Sequence, residues 1–218
     1  MFRYYIIAIA AGNVLIGAIG GLIGLPGRTL PVSMLICLGF SLLFTALEFG
    51  LDALIALAVR RLPEPAVDPF ARMYRVAKWE KKVYRKLGIV KWKDKIPEAG
   101  ALLVGFGKSK VLDMHNNAYL LTFMRESVYA EIMHVISAFA GFVFPLLCLL
   151  IPGWAWLVRI SLPVALVNFV LQVLPVMVQR YVRPQLMRVY ERNLTRAAHT
   201  NVKSCKKEPE GSFLHEIK

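Results

Sequence analysis

The chain has 218 residues, 57% of them hydrophobic, a mean hydropathy of +0.53 and a formal charge of +13 at pH 7. Soluble domains are less apolar than this, and the apolar residues fall in blocks of about 20, the length that crosses a bilayer. Composition thus excludes an ordinary soluble enzyme. In a chain that enters a membrane, the positive charge points to anionic headgroups and phosphorylated substrates as partners, with no nucleic acid.

The first predicted element is a transmembrane helix over Tyr4–Leu25. It is too long and glycine-rich for the apolar core of a signal peptide, and no A-x-A-like cleavage site follows, so it is expected to be retained. Gly17-x-x-x-Gly21 and Gly20-x-x-x-Gly24 suit the close approach of a second helix. Leu30–Val59 is the second span, and carries Glu48 and Asp52 four residues apart on one face.

A basic segment follows. Residues 60–128 hold 15 of the 27 Lys and Arg residues, and residues 180–218 hold nine. The positive-inside rule places both segments in the cytoplasm and, with an even number of spans, the N-terminus there too. Leu62-Pro63-Glu64-Pro65 breaks the second helix. Asp68–Leu87 is then predicted as an amphipathic helix, with Phe70, Met73, Tyr74, Ala77, Tyr84 and Leu87 at helical spacing and Arg72, Arg75, Lys78, Lys82, Arg85 and Lys86 between them. Such a helix suits the membrane interface or docking on the bundle. In Lys91-Trp92-Lys93-Asp94-Lys95-Ile96-Pro97, Trp92 and Lys93 either anchor in the headgroup region or hold the phosphates of a donor. Gly105-Phe106-Gly107-Lys108-Ser109 lacks the first glycine of a phosphate-binding loop, because Leu102 stands there, which excludes a nucleoside triphosphatase of that type. His115 is read as a solvated loop histidine.

The third span is predicted over Tyr129–Ile151 and the fourth over Trp154–Val178, with Arg159 near its start and Asn168 and Gln172 deeper. The fold class is all-α. Four transmembrane helices form one domain over residues 1–190, including the cytoplasmic loop 60–128, and a polar, flexible tail covers residues 191–218. The protein is expected to be integral to the cytoplasmic membrane, with both termini in the cytoplasm. Cys37, Cys148 and Cys205 form no C-x-x-C pair and imply neither a disulfide framework nor a zinc site.

The chemistry concentrates where the chain enters the third span, at Glu126, Glu131 and His134. Ionisable groups inside a membrane are functional candidates because they are costly to desolvate. Glu131 and His134, three residues apart, share a helical face with Ser127, whereas Glu126 points toward the membrane boundary. Histidine is a general base near neutral pH, and a carboxylate can orient it. His134 as base and Glu131 as orienter suit acyl transfer from a thioester to an alcohol. No nucleophile-elbow glycines flank Ser127. A Glu-x-x-His step also occurs in di-iron bundles, but those need two such steps and this chain has one. The expectation is therefore no metal and no cofactor beyond a thioester co-substrate such as acyl-CoA. Counting from the boundary puts Glu48, Asp52, His134, Asn168 and Gln172 at depths of roughly 12–18 Å. This layer is either a pocket for a headgroup and a reacting hydroxyl, or interhelical hydrogen bonding that holds the bundle.

Glu126-x4-Glu131-x2-His134 resembles the E-x4-E-x2-H pattern of the glycosyl-4,4'-diaponeurosporenoate acyltransferase family. Lys91-Trp92-Lys93-Asp94-Lys95-Ile96 resembles its R-K-W-K-x-K-(I/L) segment. Asn168 is placed like a polar residue of its last span, and Gln179-Arg180-Tyr181-Val182-Arg183-Pro184-Gln185-Leu186 resembles its Q-R-Y-N-R-P-R-L. Val182 and Gln185 replace the Asn and Arg of that motif. The resemblance covers about residues 90–188. It implies a small membrane O-acyltransferase that adds a fatty acyl chain to a glycolipid acceptor, in the family a carotenoid glycolipid. It also implies that Glu126, Gln179, Arg180 and Arg183 position donor or acceptor. Without the resemblance, the arginines read as positive-inside anchors. Two other functions fit the residues. One is a methyltransferase of the isoprenylcysteine type, using S-adenosylmethionine; the other is a non-enzymatic module whose basic loop grips anionic lipid.

Overall fold

The computed structural model describes residues 2–93, 96 and 113–205. Its α-helices are α1 (Phe2–Leu22), α2 (Leu30–Val59), α3 (Lys78–Lys86), α4 (Ile89–Trp92), α5 (Asn117–Ala140), α6 (Val143–Leu150) and α7 (Val158–Cys205), with no strand among the described residues. Leu30–Val59, Asn117–Leu150 and Ala155–His199 are long and apolar enough to cross a membrane, and Ile6–Leu22 is a shorter apolar helix. Large apolar side chains such as Ile7, Leu22, Leu35, Leu54, Phe139 and Leu150 point outward and are exposed. In water such a surface would be costly, whereas lipid tails solvate it as well as a protein interior does. The architecture is that of a helical membrane protein.

The helices alternate in direction, and their contacts show it. On α1 and α2, Gly17 lies against Leu38 and Gly21 against Met34, rising numbers meeting falling ones. A Cβ at Gly21 would stand 2.5 Å from the Met34 Cα, and one at Gly17 2.7 Å from the Leu38 Cα, so only glycine permits this approach. Gly24 does something else. It sits at φ 77° with open space around it and turns the chain after α1. Asn13 Oδ1 accepts from Ser41 Oγ at 2.7 Å and from Thr45 Oγ1 at 2.9 Å across the same pair. Between α2 and α5, Arg60 meets Glu126 at one end and Glu48 meets Gly141 at the other. Between α5 and α7, Ser127 meets Arg183, Glu131 meets Arg180, and His134 meets Gln172. Cys37, Phe44, Cys148, Leu157, Ile160 and Val164 fill the core at one end of the bundle, and Leu120, Phe123, Met124 and Leu186 at the other. Cys37 and Cys148 are free and buried, as small apolar side chains.

Several boundaries differ from the sequence expectation, three of them with a visible local cause. The second helix runs Leu30–Val59 as predicted, but the third begins at Asn117 rather than Tyr129, because Asn116 Oδ1 accepts from the Tyr119 N–H and caps it. The amphipathic helix expected over Asp68–Leu87 is confined to Lys78–Lys86. Before it, Asp68 Oδ1 accepts from the Phe70 N–H, Arg72–Tyr74 form one 3-10 turn, and Arg75 is extended. That path leaves the carbonyls of Tyr74 and Arg75 open to accept from Arg183 and Arg180, at 3.4 and 3.2 Å. An unbroken helix would have used them internally. Lastly, α7 does not end at Val178, the expected end of the fourth span. It passes Pro163, Pro175 and Pro184 and continues to Cys205, into the segment expected to be flexible. No glycine or proline interrupts residues 185–205, and Asn193 Nδ2 donates to the Met114 carbonyl at 2.7 Å. The Gly105–Ser109 stretch and the residues after Cys205 lie outside the described residues.

Candidate functional site

Arg180 and Arg183 lie three residues apart on one face of α7. Both reach Glu131 on α5, Arg180 Nη1 to Oε1 at 2.5 Å and Arg183 Nη2 to Oε2 at 2.6 Å. Arg180 also reaches back to the short α3, where its Nε and Nη2 donate to Glu80 at 2.7 and 2.9 Å. Arg183 Nε donates to Ser127 Oγ and Nη2 to the Ser127 carbonyl, at 2.9 and 3.1 Å, and its guanidinium lies over the Tyr74 ring at 5.7 Å. The Ser127 hydroxyl itself donates to the Met124 carbonyl, so it serves the arginine rather than a substrate. Two arginines and two glutamates cancel in charge, and the desolvation each one suffers is offset only within this set.

Glu80 ties the set to the segment between α2 and α5. Its Oε1 accepts from the Ala77 N–H at the start of α3, and its Oε2 from the Tyr84 hydroxyl at 2.7 Å. The Arg180 guanidinium holds the Glu80 carboxyl down to about 2, and burial, then Glu80 itself, pushes the Tyr84 hydroxyl up. Glu80 does not stand out in the sequence alone. Its signal was available only after the fact, as a lone acid among the basic residues of α3, placed where it can accept from the helix start.

Deeper in the bundle, a second polar layer surrounds His134. His134 Nδ1 lies 2.5 Å from Gln172 Oε1. The Gln172 amide nitrogen donates to Asp52 Oδ2 at 2.5 Å and to Asn168 Oδ1 at 3.2 Å. With two acceptors facing its nitrogen, the amide must turn its oxygen to the imidazole. An amide oxygen only accepts, so in the neutral ring Nδ1 carries the proton and Nε2 the lone pair. The contact that orients Nδ1 thus comes from Gln172, with Asp52 behind it, while the Glu131 carboxylate is held by the two arginines. Glu48 is buried at 4% exposure, and neither of its carboxyl oxygens has a hydrogen-bond partner among the described residues. It packs on Gly141, where a Cβ would stand 3.1 Å from Glu48 Oε2 and 3.2 Å from Asn168 Nδ2. Glu48, Asp52 and Asn168 also line a small cavity toward α1, with Asn13 and Thr45. Asn13 was missed as a site neighbour, and a lone asparagine in an apolar span was the signal for it.

The remaining predicted residues separate from these layers. Glu126 pairs with Arg60 at 2.7 Å, and Arg60 also lies over the Tyr129 ring. Trp92 turns its indole N–H to the Leu87 carbonyl of its own turn at 2.9 Å, and Lys93 follows at the end of α4. Gln179 Oε1 is buried without a partner among the described residues, beside Arg180 on α7. His115 is exposed on the turn before α5, as expected. No group of three or more His, Cys, Asp or Glu that could hold a metal occurs among the described residues.

No curated protein and no solved structure matches the chain. One family model does, and it spans the arginine network and, of the deeper layer, His134, Asn168 and Gln172 but not Glu48 or Asp52. Residues 70–192, more than half of the 218-residue chain, match the glycosyl-4,4'-diaponeurosporenoate acyltransferase family, and the chain belongs to that family of acyltransferases in carotenoid biosynthesis.

Proposed function

We propose that the protein spans the membrane four times, with both termini in the cytoplasm, and transfers a fatty acyl group from a thioester donor, acyl-CoA, to a sugar hydroxyl of a glycosyl carotenoid-like lipid. His134 is the general base. Its Nε2 takes the proton of the acceptor hydroxyl as the oxygen attacks the thioester carbonyl, and the imidazolium then protonates the departing thiolate, so the base is regenerated in each turnover. Gln172 fixes the ring in the required tautomer, and Asp52 and Asn168 hold Gln172. Glu131, Arg180 and Arg183 keep α5 and α7 in register one turn from the base, and Gln179 and Glu126 flank the donor and acceptor paths.

The observation that carries this reading is the His134–Gln172 contact within the matched region of an acyltransferase family. In a purified acyl-transfer assay, His134→Ala is expected to lower turnover by about 10²–10⁴-fold with unchanged thermal stability. Wild-type activity of that variant would sink the mechanism. Comparative lipid mass spectrometry with the gene present and deleted identifies the acceptor, as the lipid that gains one acyl mass.

A further inference from the structure

A second site includes Arg180 but not Glu131 among its lining residues. Residues of α3 and α4, of the turns before and between them, and of α7 line an open cleft of about 680 Å³. Its walls carry Lys81 and Arg85, one helical turn apart on α3, and Arg188 on α7, while Arg180 forms the floor. No carboxylate among the described residues lines it. The charge of Arg180 is already matched by Glu80 and Glu131. Lys81, Arg85 and Arg188 are exposed, and none is paired with a carboxylate among the described residues. Gly88 keeps the rim open, because its φ of 59° lets the chain turn between α3 and α4 without a side chain. Tyr181, half-buried and edge-on to Tyr84 with ring centroids 6.4 Å apart, supplies a flat wall.

A concave surface with several cations that meet no carboxylate among the described residues focuses an anion's field, and its size suits a small molecule rather than the convex face of a protein. The geometry points to this cleft as the seat of the phosphates of the acyl donor, a nucleotide thioester of the coenzyme A class. This deepens the acyltransferase reading and rests on it. Along α7, Arg180 at the cleft floor is eight residues from Gln172, the partner of His134, a rise of about 12 Å. An extended pantetheine arm covers that distance, so phosphates in the cleft and a thioester at His134 are compatible in one bound donor. Lys81, Arg85 and Arg188 are then binding residues that touch phosphate, and Tyr181 offers its ring to the base.

Phosphate could also come from a lipid headgroup, and the test separates the two. The full chain in phosphatidylcholine nanodiscs is titrated with coenzyme A, pantetheine and acyl carrier protein. Retention of the chain by phosphatidylglycerol vesicles is measured in parallel. Coenzyme A is expected to bind at least tenfold tighter than pantetheine. The triple variant Lys81→Ala/Arg85→Ala/Arg188→Ala is expected to lose at least tenfold in coenzyme A affinity, with a flatter salt dependence and the same melting temperature. If the triple variant does not fold, Arg188→Gln alone, at an exposed helical position, is expected to lose about threefold. Equal binding of pantetheine and coenzyme A overturns the proposal, as does unchanged coenzyme A affinity in the folded variant. So does a variant that loses only vesicle retention. Turnover with acyl carrier protein but no binding of coenzyme A overturns this site while leaving the acyltransferase reading intact. Conversely, an active His134→Ala variant would overturn that mechanism without touching coenzyme A binding.

Discussion

Glu131 holds two arginines, but its removal should be felt mainly through one of them. Arg183 has a side chain with no exposure, and Glu131 is the single carboxylate that meets it among the described residues. Its other contacts, Ser127 Oγ, the Ser127 and Tyr74 carbonyls and the Tyr74 ring, are neutral. In Glu131→Ala, the Arg183 charge stays buried without compensation, which costs about 3–5 kcal/mol. Arg180 is 18% exposed and keeps both contacts to Glu80, so its loss is screened and shared, on the order of 1 kcal/mol. Double-mutant cycles separate the two, because each cycle isolates one pair. The stabilities of Glu131→Ala, Arg183→Met, Arg180→Met and the two pairwise combinations are measured by denaturant unfolding in detergent. The Glu131–Arg183 coupling is expected at about 3 kcal/mol and the Glu131–Arg180 coupling at about 1 kcal/mol. Glu131→Leu combined with Arg183→Met should recover most of the loss, since an apolar pair of similar volume removes both charges together. Equal couplings, or a larger one for Arg180, would refute the reasoning from burial.

Three further outcomes follow from the same contacts. Glu80 is held down to about 2 in the folded protein from an ordinary value of 4.5, so the stability it provides is fully present above about pH 5 and is lost as pH falls toward 2; wild type should lose about 1–2 kcal/mol over that range after solvent screening, and Glu80→Gln, less stable at pH 7, should show a shallower acid slope in unfolding curves. Gly21→Val should destabilise by about 1–3 kcal/mol, because its side chain meets the Met34 backbone, whereas Gly12→Ala, with nothing within 4 Å, should be neutral or stabilise by up to about 1 kcal/mol; melting temperatures in detergent report both. Gln172→Leu should lower turnover by roughly 10–100-fold, the scale of losing an outer partner that sets a ring's tautomer, while the melting temperature changes little; an unaffected turnover would show that the ring needs no such partner.

The fold was legible where one physical requirement dominated. Length and apolarity mark Leu30–Val59 to the residue, and the glycine spacing of Gly17 and Gly21 marks the face that meets α2, because only a missing Cβ allows that approach. What the sequence hid was backbone whose partners lie far along the chain. Nothing local in Asp68–Ala77 forbids a helix, and the periodicity favours one. The segment unwinds because arginines more than 100 residues later draw on its Tyr74 and Arg75 carbonyls. The start of α5 at Asn117 was hidden differently. Asn116 caps it, but residues 117–128 read as part of the cytoplasmic loop.

The site shows the same division. Counting residues from the membrane boundary brings Asp52, His134, Asn168 and Gln172 to one depth, and the structure joins them by hydrogen bonds. Counting cannot say which neighbour takes which. Glu131 and His134 share a face of α5, so sequence alone pairs them as base and orienter. Yet α7 runs antiparallel beside that face and presents two kinds of group to it. The long arginine side chains of residues 180 and 183 reach Glu131, and the amide of Gln172, two turns deeper, reaches His134. A carboxylate that already neutralises two guanidiniums is a poor choice to orient a base, and an amide with its nitrogen already committed to Asp52 and Asn168 is a good one, because it can offer the ring nothing but an acceptor. Under the proposed mechanism the roles on one helix are thus decided by the residues of another, and the one-turn offset between Glu131 and His134 separates the charge-neutralised network between the helices from the layer that would set the imidazole.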